Sequence, residues 1–249
     1  MVETFLKYSI VLTYRCNGSC KYCNRFLDIV PWNVDLSIED LKAGWKAICE
    51  TDSTIVKVRI TGGEPLMHPN FDECINYINQ TWNSKATIRL VVMSNQILPR
   101  RPLRKLRYRG FTSQEQKIAA HEPPMISPKD LGLSPIYGTD IICSGQRGCG
   151  RLFDPYGFSY CVYSGPIGRV LGIDPYQTYP VLQGQQEMCE HCTYSLDRKV
   201  AVKLFQQVRD GKLEYPTKSY KEGVARIKDG VNVDFPKFQE RLKGGAKLC

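Results

Sequence analysis

The chain has 249 residues, of which 42% are apolar and 24% charged, with a formal charge of +9 and 11 cysteines. That length buries a core without disulfide staples, and the odd, clustered cysteines argue for metal ligation in a reducing compartment and against a secreted disulfide framework. No stretch approaches the roughly 18 apolar residues of a membrane span and no signal peptide is present, so a cytoplasmic protein is expected; the charge favours anionic partners, but no nucleic-acid motif accompanies it.

Residues 7–13 read as a first strand, followed directly by a loop carrying Cys16, Cys20 and Cys23. "LSIEDLKAGWKAICE" offers Ser37 as N-cap and Leu41, Trp45 and Ile48 at helical spacing, which predicts an amphipathic helix. A second strand over 53–61, a second helix over 70–82 and a third strand over 86–95 follow. Such alternation predicts an α/β fold with a parallel sheet and right-handed crossovers. Ligands of these sheets gather at the carboxyl ends of the strands. The thiol loop, "GGEP" at 62–65 and Ser94-Asn95 all follow a strand, so they are expected to converge.

After residue 98 the pattern weakens into a basic run with Arg100, Arg101, Arg104, Lys105, Arg107 and Arg109, then a proline-broken stretch with room for one or two strands. The run reads as a solvated face, with a clamp for an anionic substrate as the alternative. "DPYG" predicts a β-hairpin over 151–163. Leu196, Val200, Leu204 and Val208 are expected on one stripe of a later helix. The last 35 residues read as a basic tail with room for short helices. Cys49 and Cys74 fall on helix faces among core residues and read as packing thiols. His68 reads as a local hydrogen-bonding group, and His121 and His191 show no catalytic pattern.

Structural zinc sites are closed, whereas Cys-x3-Cys-x2-Cys has no fourth ligand nearby; an iron-sulfur cubane held by three cysteines keeps one iron open. With Tyr22 before the last cysteine, just after a first strand, this spacing resembles the signature of the radical S-adenosylmethionine (SAM) superfamily. The resemblance implies a shortened parallel β/α barrel, with Cys16, Cys20 and Cys23 binding a 4Fe-4S cluster whose open iron takes the amino and carboxylate groups of SAM. Reductive cleavage would give a 5'-deoxyadenosyl radical that takes a hydrogen atom from the substrate. Tyr22, Gly62, Gly63, Glu64, Pro65, Ser94 and Asn95 would contact SAM, with Glu64 receiving its ammonium and Ser94 and Asn95 its ribose.

Cys143 and Cys161 bracket the hairpin, and Cys189 and Cys192 form a Cys-x2-Cys pair. This arrangement resembles the twitch module, a shortened relative of the SPASM domain, and implies an auxiliary 4Fe-4S cluster on those four thiols; a zinc site is the alternative. The implied division is 1–137 for the core, 138–213 for the auxiliary module and 214–249 for the tail. Cys149 stands as an alternative ligand, a hydrogen-atom donor or a buried small hydrophobe, and Arg100, Arg101 and Arg104 as anionic-substrate contacts.

The resemblance implies oxidation of a small hydroxylated or sugar-like metabolite, with the auxiliary cluster accepting the second electron and a flavodoxin or ferredoxin as external reductant. The alternative is radical modification of a ribosomally made peptide, by epimerisation or crosslinking, with Cys149 or Cys249 as hydrogen donor. Against it, the first strand begins almost at Met1, so no leader-binding domain is expected. A non-catalytic iron-sulfur or zinc protein is the reading from another class.

Overall fold

The structure, a computed structural model, describes residues 6–29, 33–51, 55–81, 89–100, 106–110, 122–136, 143, 150–178, 186–231 and 235–244. Strand β1 (Leu6–Thr13) alternates fully buried Tyr8, Ile10 and Leu12 with Ser9 and Val11 on its other face, following the twofold period of a strand. Helix α1 (Ile38–Thr51) starts as expected: Ser37 Oγ accepts the Asp40 N–H at 3.0 Å. Strand β2 (Ile55–Gly62), helix α2 (Phe71–Thr81) and strand β3 (Arg89–Ser94) complete the crossovers. β2 lies parallel to β1 and β3, with Ser9 opposite Arg59 and Ile60 opposite Val92.

One apolar cluster joins α1 and α2 to a single sheet face, with Leu41, Trp45, Ile48, Cys74 and Ile78 against Tyr8, Ile10, Val58, Ile60 and Val92. Cys74 is fully buried there and Cys49 packs at its edge, in keeping with packing thiols. The opposite sheet face carries Val11 and, toward the strand ends, Ser9, Arg59, Thr61 and Met93.

The basic run contains an edge strand, β4 (Leu106–Gly110), parallel to β3 with Arg107 and Arg109 in register with Val91 and Met93. β5 (Arg151–Asp154) and β6 (Gly157–Ser159) form the expected hairpin, shorter than 151–163. β5 also pairs parallel with β1, Phe153 opposite Ile10. Among the described residues the order is therefore β4-β3-β2-β1-β5-β6, with β4 and β6 at the edges. The sheet continues across the expected boundary at residue 137, so the hairpin extends the main sheet.

Helices α3 (Ser164–Leu171), α4 (Gln186–Glu190), α5 (Arg198–Arg209), α6 (Lys218–Lys228) and α7 (Phe238–Lys243) follow. The stripe expected on α5 is displaced. Leu196 precedes the helix and Val200 is 39% exposed, while Ala201, Leu204, Phe205 and Val208 are buried. Steps of four drift about 40° around a helix of 3.6 residues per turn, so a long run of them leaves the buried face.

The reading of 214–249 as a tail is also revised. Tyr220 and Phe238 are fully buried, and the Phe238 ring stands 5.2 Å from Phe153 and 5.7 Å from Phe158, edge to face. The charged composition conceals these two anchors.

A buried polar cluster ties the end of β1 to the end of β5. Tyr14 and Tyr176 hydroxyls donate to Asp154 Oδ2 at 2.5 and 2.8 Å, and the Tyr156 N–H donates to Oδ1 at 2.8 Å. The Arg169 guanidinium lies 3.9 Å over the Tyr14 ring, with Nη1 3.8 Å from Asp154 Oδ2. Burial pushes the Asp154 carboxyl up, opposed by Arg169 and the three donors. Among the described residues no helix is long and apolar enough to cross a membrane.

Candidate active site

The loop after β1 is fixed before any ligand enters. Thr13 Oγ1 donates to Asp35 Oδ1 at 2.6 Å, and Arg15 Nη2 lies 2.8 Å from Asp35 Oδ2. The Gly63 N–H donates to Thr13 O at 2.9 Å and the Glu64 N–H to Arg15 O at 2.8 Å. The paired glycines are required by that approach. A Cβ on Gly62 would lie 2.3 Å from Thr13 O, and one on Gly63 2.3 Å from Arg15 O and 2.7 Å from Cys16 Cβ.

Glu64 also has a structural role. It is fully buried, its Oε1 accepts the Leu66 N–H at 3.1 Å, and its Oε2 accepts the Asn95 N–H at 2.7 Å. The carboxylate thus clasps the turn after β2 to the turn after β3, and it is Gly62 and Gly63 that face the cavity. Pro65 is buried at the first position of a short 3-10 turn, Pro65–Met67. Asn95 Nδ2 donates to Asn17 Oδ1 at 2.7 Å, so the third turn also holds the thiol loop.

These three turns enclose a cavity lined by Cys16, Cys20, Cys23, Gly62, Gly63, Ser94 and Asn95, as the strand-end reading requires. The Tyr22 side chain belongs to an apolar cluster with Ile126, Leu204, Phe205 and Val208. Burial pushes the Cys23 thiol up, while backbone N–H groups of Leu27 and Arg25 pull it down. Such N–H donors suit a thiolate that binds metal, and metal binding supplies the deprotonation that burial opposes.

Three charged cavity groups escape the motif reading. Arg25 and Arg59 line the cavity, as does Asp28, whose carboxyl burial pushes up to about 6. The alternation of Lys57, Arg59 and Thr61 with Val58 and Ile60 is the signal that marks Arg59, because only one face of β2 is apolar. Arg100, by contrast, is exposed and donates to Gln96 Oε1 at 2.6 Å, outside the cavity lining. Arg101, Arg104, His121, Cys149 and Cys249 lie outside the described residues.

Cys143, Cys161, Cys189 and Cys192 line a second pocket with Tyr163, Ser164, Ile167 and Met188. Ser195 Oγ donates to the carbonyls of Cys189 and Cys192 at 2.6 and 2.7 Å, and Ser164 Oγ to that of Cys161 at 2.8 Å. Burial pushes Cys161 up to about 12 and Cys189 to about 11. Among the described residues, no three His, Cys, Asp or Glu side chains converge on one metal ion. The two histidines in view have structural partners: His68 Nε2 lies 2.9 Å from Leu36 O, and His191 Nδ1 3.0 Å from Ser127 Oγ.

The Radical SAM superfamily family model matches residues 10–113, which include all three strand-end turns. The GTP 3',8-cyclase of Aliarcobacter butzleri is 37% identical over 109 residues, 43% of this chain and 32% of that protein. That of Sulfurimonas denitrificans is 31% identical over 135 residues, 52% of this chain and 40% of that protein. The chain thus matches less than half the length of these relatives. Among solved structures, BtrN in complex with AdoMet and 2-DOIA aligns over 85% of this chain and 89% of its own, at 12% identity and TM-score 0.40. Streptococcus suis SuiB bound to precursor peptide SuiA aligns over 42% and 24%, at 16% identity and TM-score 0.30. Neither likeness is strong enough to bear on the activity. Residues 10–113 of this chain are thus similar to the radical SAM superfamily, by the family model and by the stretch shared with the cyclases.

Proposed function

We propose that this protein cleaves SAM reductively and uses the resulting radical to oxidise a small, hydroxylated, anionic substrate. The carrying observation is that the three cysteines of the thiol loop share one cavity with the turns after β2 and β3. A 4Fe-4S cluster held there would supply the electron for reductive cleavage of SAM, and the radical so formed would take a hydrogen atom from the substrate. Cys16, Cys20 and Cys23 would hold that cluster and leave one iron for SAM. Gly63 lets the turn after β2 close against the loop, and Ser94 and Asn95 face the cavity where a ribose would be recognised. Ser9, Arg59, Thr61 and Met93 form the floor on which a substrate would rest, and Arg25 and Arg59 suit a negative charge on it.

Cys143, Cys161, Cys189 and Cys192 would hold a second 4Fe-4S cluster, a closed set with no iron left open. Four thiols lining one pocket are the number a closed cubane needs, and the likeness of their spacing to the twitch module favours a cluster over zinc. The relatives' name raises a second reading, in which the substrate is GTP or a similar nucleotide; the two cavity arginines fit either.

The test is anaerobic reconstitution of the full chain with iron and sulfide, followed by incubation with SAM and a chemical or flavodoxin-class reductant. Deoxyadenosine is expected, with about eight irons per chain falling to about four in the Cys16/Cys20/Cys23→Ala variant. Failure of the wild type to release deoxyadenosine would favour a non-catalytic protein, and zinc in the second pocket would remove the auxiliary cluster. In a metabolite screen, product lighter by two hydrogens supports oxidation. Unchanged mass points to nucleotide cyclisation or, with deuterium gained from heavy water, to peptide epimerisation.

A further inference from the structure

Arg25 lines the first cysteine site and is bonded to the segment that leads into the second. Its backbone N–H is directed at Cys23 in the first site. Its side chain is buried, 7% exposed, and Nη1 donates to Val162 O at 2.6 Å. Val162 lines the first cavity, while the preceding residue, Cys161, lines the second pocket. The backbone N–H groups of Tyr163 and Ser164 are in turn directed at Cys161. The segment around 161–163 is therefore a wall shared by the two sites, and the Arg25 guanidinium is anchored in it.

Resting on the two-cluster reading above, we propose that Arg25 is the positioning residue that couples the sites: its hydrogen bond to Val162 O fixes their separation, and its charge sits between them. A guanidinium stays protonated at every working pH, and burial limits its screening by water. Two thiolate-ligated clusters are each negatively charged, more so when reduced. A fixed positive charge between them favours the reduced form of both and raises both potentials. Only a residue reaching both sites has this double effect; a group that merely packs one loop would alter one site or neither.

The test is an EPR-monitored redox titration of the reconstituted full chain as wild type, Arg25→Gln and Arg25→Lys, with iron and sulfide counted for each. Arg25→Gln should keep about eight irons and shift both signals negative. At a fixed potential the ratio of reduced to oxidised cluster should fall about tenfold, which for a one-electron couple is about 59 mV. Arg25→Lys keeps the charge and should titrate close to wild type at both sites. Unchanged potentials in an iron-replete Arg25→Gln, or a shift at one site alone, would overturn the proposal. If Arg25→Gln takes up too little iron to titrate, Arg25→Lys decides: a shift at either site with full iron sinks it, and two unmoved potentials support it. A wild type with only about four irons and one signal would remove the two-cluster reading itself, a result distinct from any of these.

Discussion

Gly63→Ala should cripple the site while leaving the fold standing. The added Cβ would sit 2.3 Å from Arg15 O, a backbone atom that cannot rotate away, and 2.7 Å from Cys16 Cβ. Restoring even a 3.0 Å contact requires a shift of about 0.7 Å in the loop that carries the first thiol. Misplacement of about 1 Å costs on the order of 100-fold in rate, and overpacking costs about 1–3 kcal/mol in stability. Deoxyadenosine release should therefore fall about tenfold to 100-fold, with the thermal transition lowered but cooperative. Gly244→Ala is the control: its Cβ would meet nothing closer than Glu240 O at 3.5 Å, and its effect should stay within about 0.5 kcal/mol. Wild-type iron content and deoxyadenosine release in Gly63→Ala would refute the close approach of the two turns.

Glu64→Gln replaces one acceptor of a backbone N–H with an amide that must donate on one side. Denaturant titration should show a loss of about 1.5–3 kcal/mol, whereas an unaltered midpoint would contradict the clasp. Phe238→Ala should cost about 3–5 kcal/mol, as expected for a ring seated against Phe153 and Phe158; a loose tail would register below about 0.5 kcal/mol. The Asp28 carboxyl is raised from its ordinary 3.8 to about 6 by burial, so its protonated form is favoured in the fold. Its contribution is complete below about pH 4 and lost as pH rises through 6. Relative to wild type, Asp28→Asn should thus gain thermal stability between pH 5 and 7.5, and parallel profiles for the two proteins would count against a perturbed Asp28.

The first half of the chain was legible because its signals are local. Ser37 and the Leu41-Trp45-Ile48 spacing determine α1 by themselves, and each β-branched run from β1 to β3 has room for one apolar face. The rest depends on pairings that no short window contains. β4 lies in a run whose arginines mask its alternation, and α3, "SGPIGRVL", begins with residues that favour turns. β5 reads as half of a hairpin, yet its second partner is β1, some 140 residues earlier. The three strand-end turns were found from sequence and share a cavity, while the orientation of Glu64 and Tyr22 was not. A motif specifies residue types at positions, and either side chain could face the ligand or brace the turn.

That distinction bears on where substrate choice resides. Of the turn after β2, only the glycines face the cavity, and Glu64 is consumed in joining two turns. On the reading proposed above, the motif residues would be taken up with SAM and leave little to discriminate among substrates. Other side chains at the cavity, among them Ser9, Arg25, Asp28, Arg59, Thr61 and Met93, come from the sheet face away from α1 and α2 and from the segment just beyond Cys23. Two are permanently cationic, and one is a carboxyl poised near neutrality. Because Arg25 is already committed to Val162 O, Arg59 is the cationic group better placed to meet a substrate. Arg59 projects from a strand paired on both sides, so it can select by position as well as by charge.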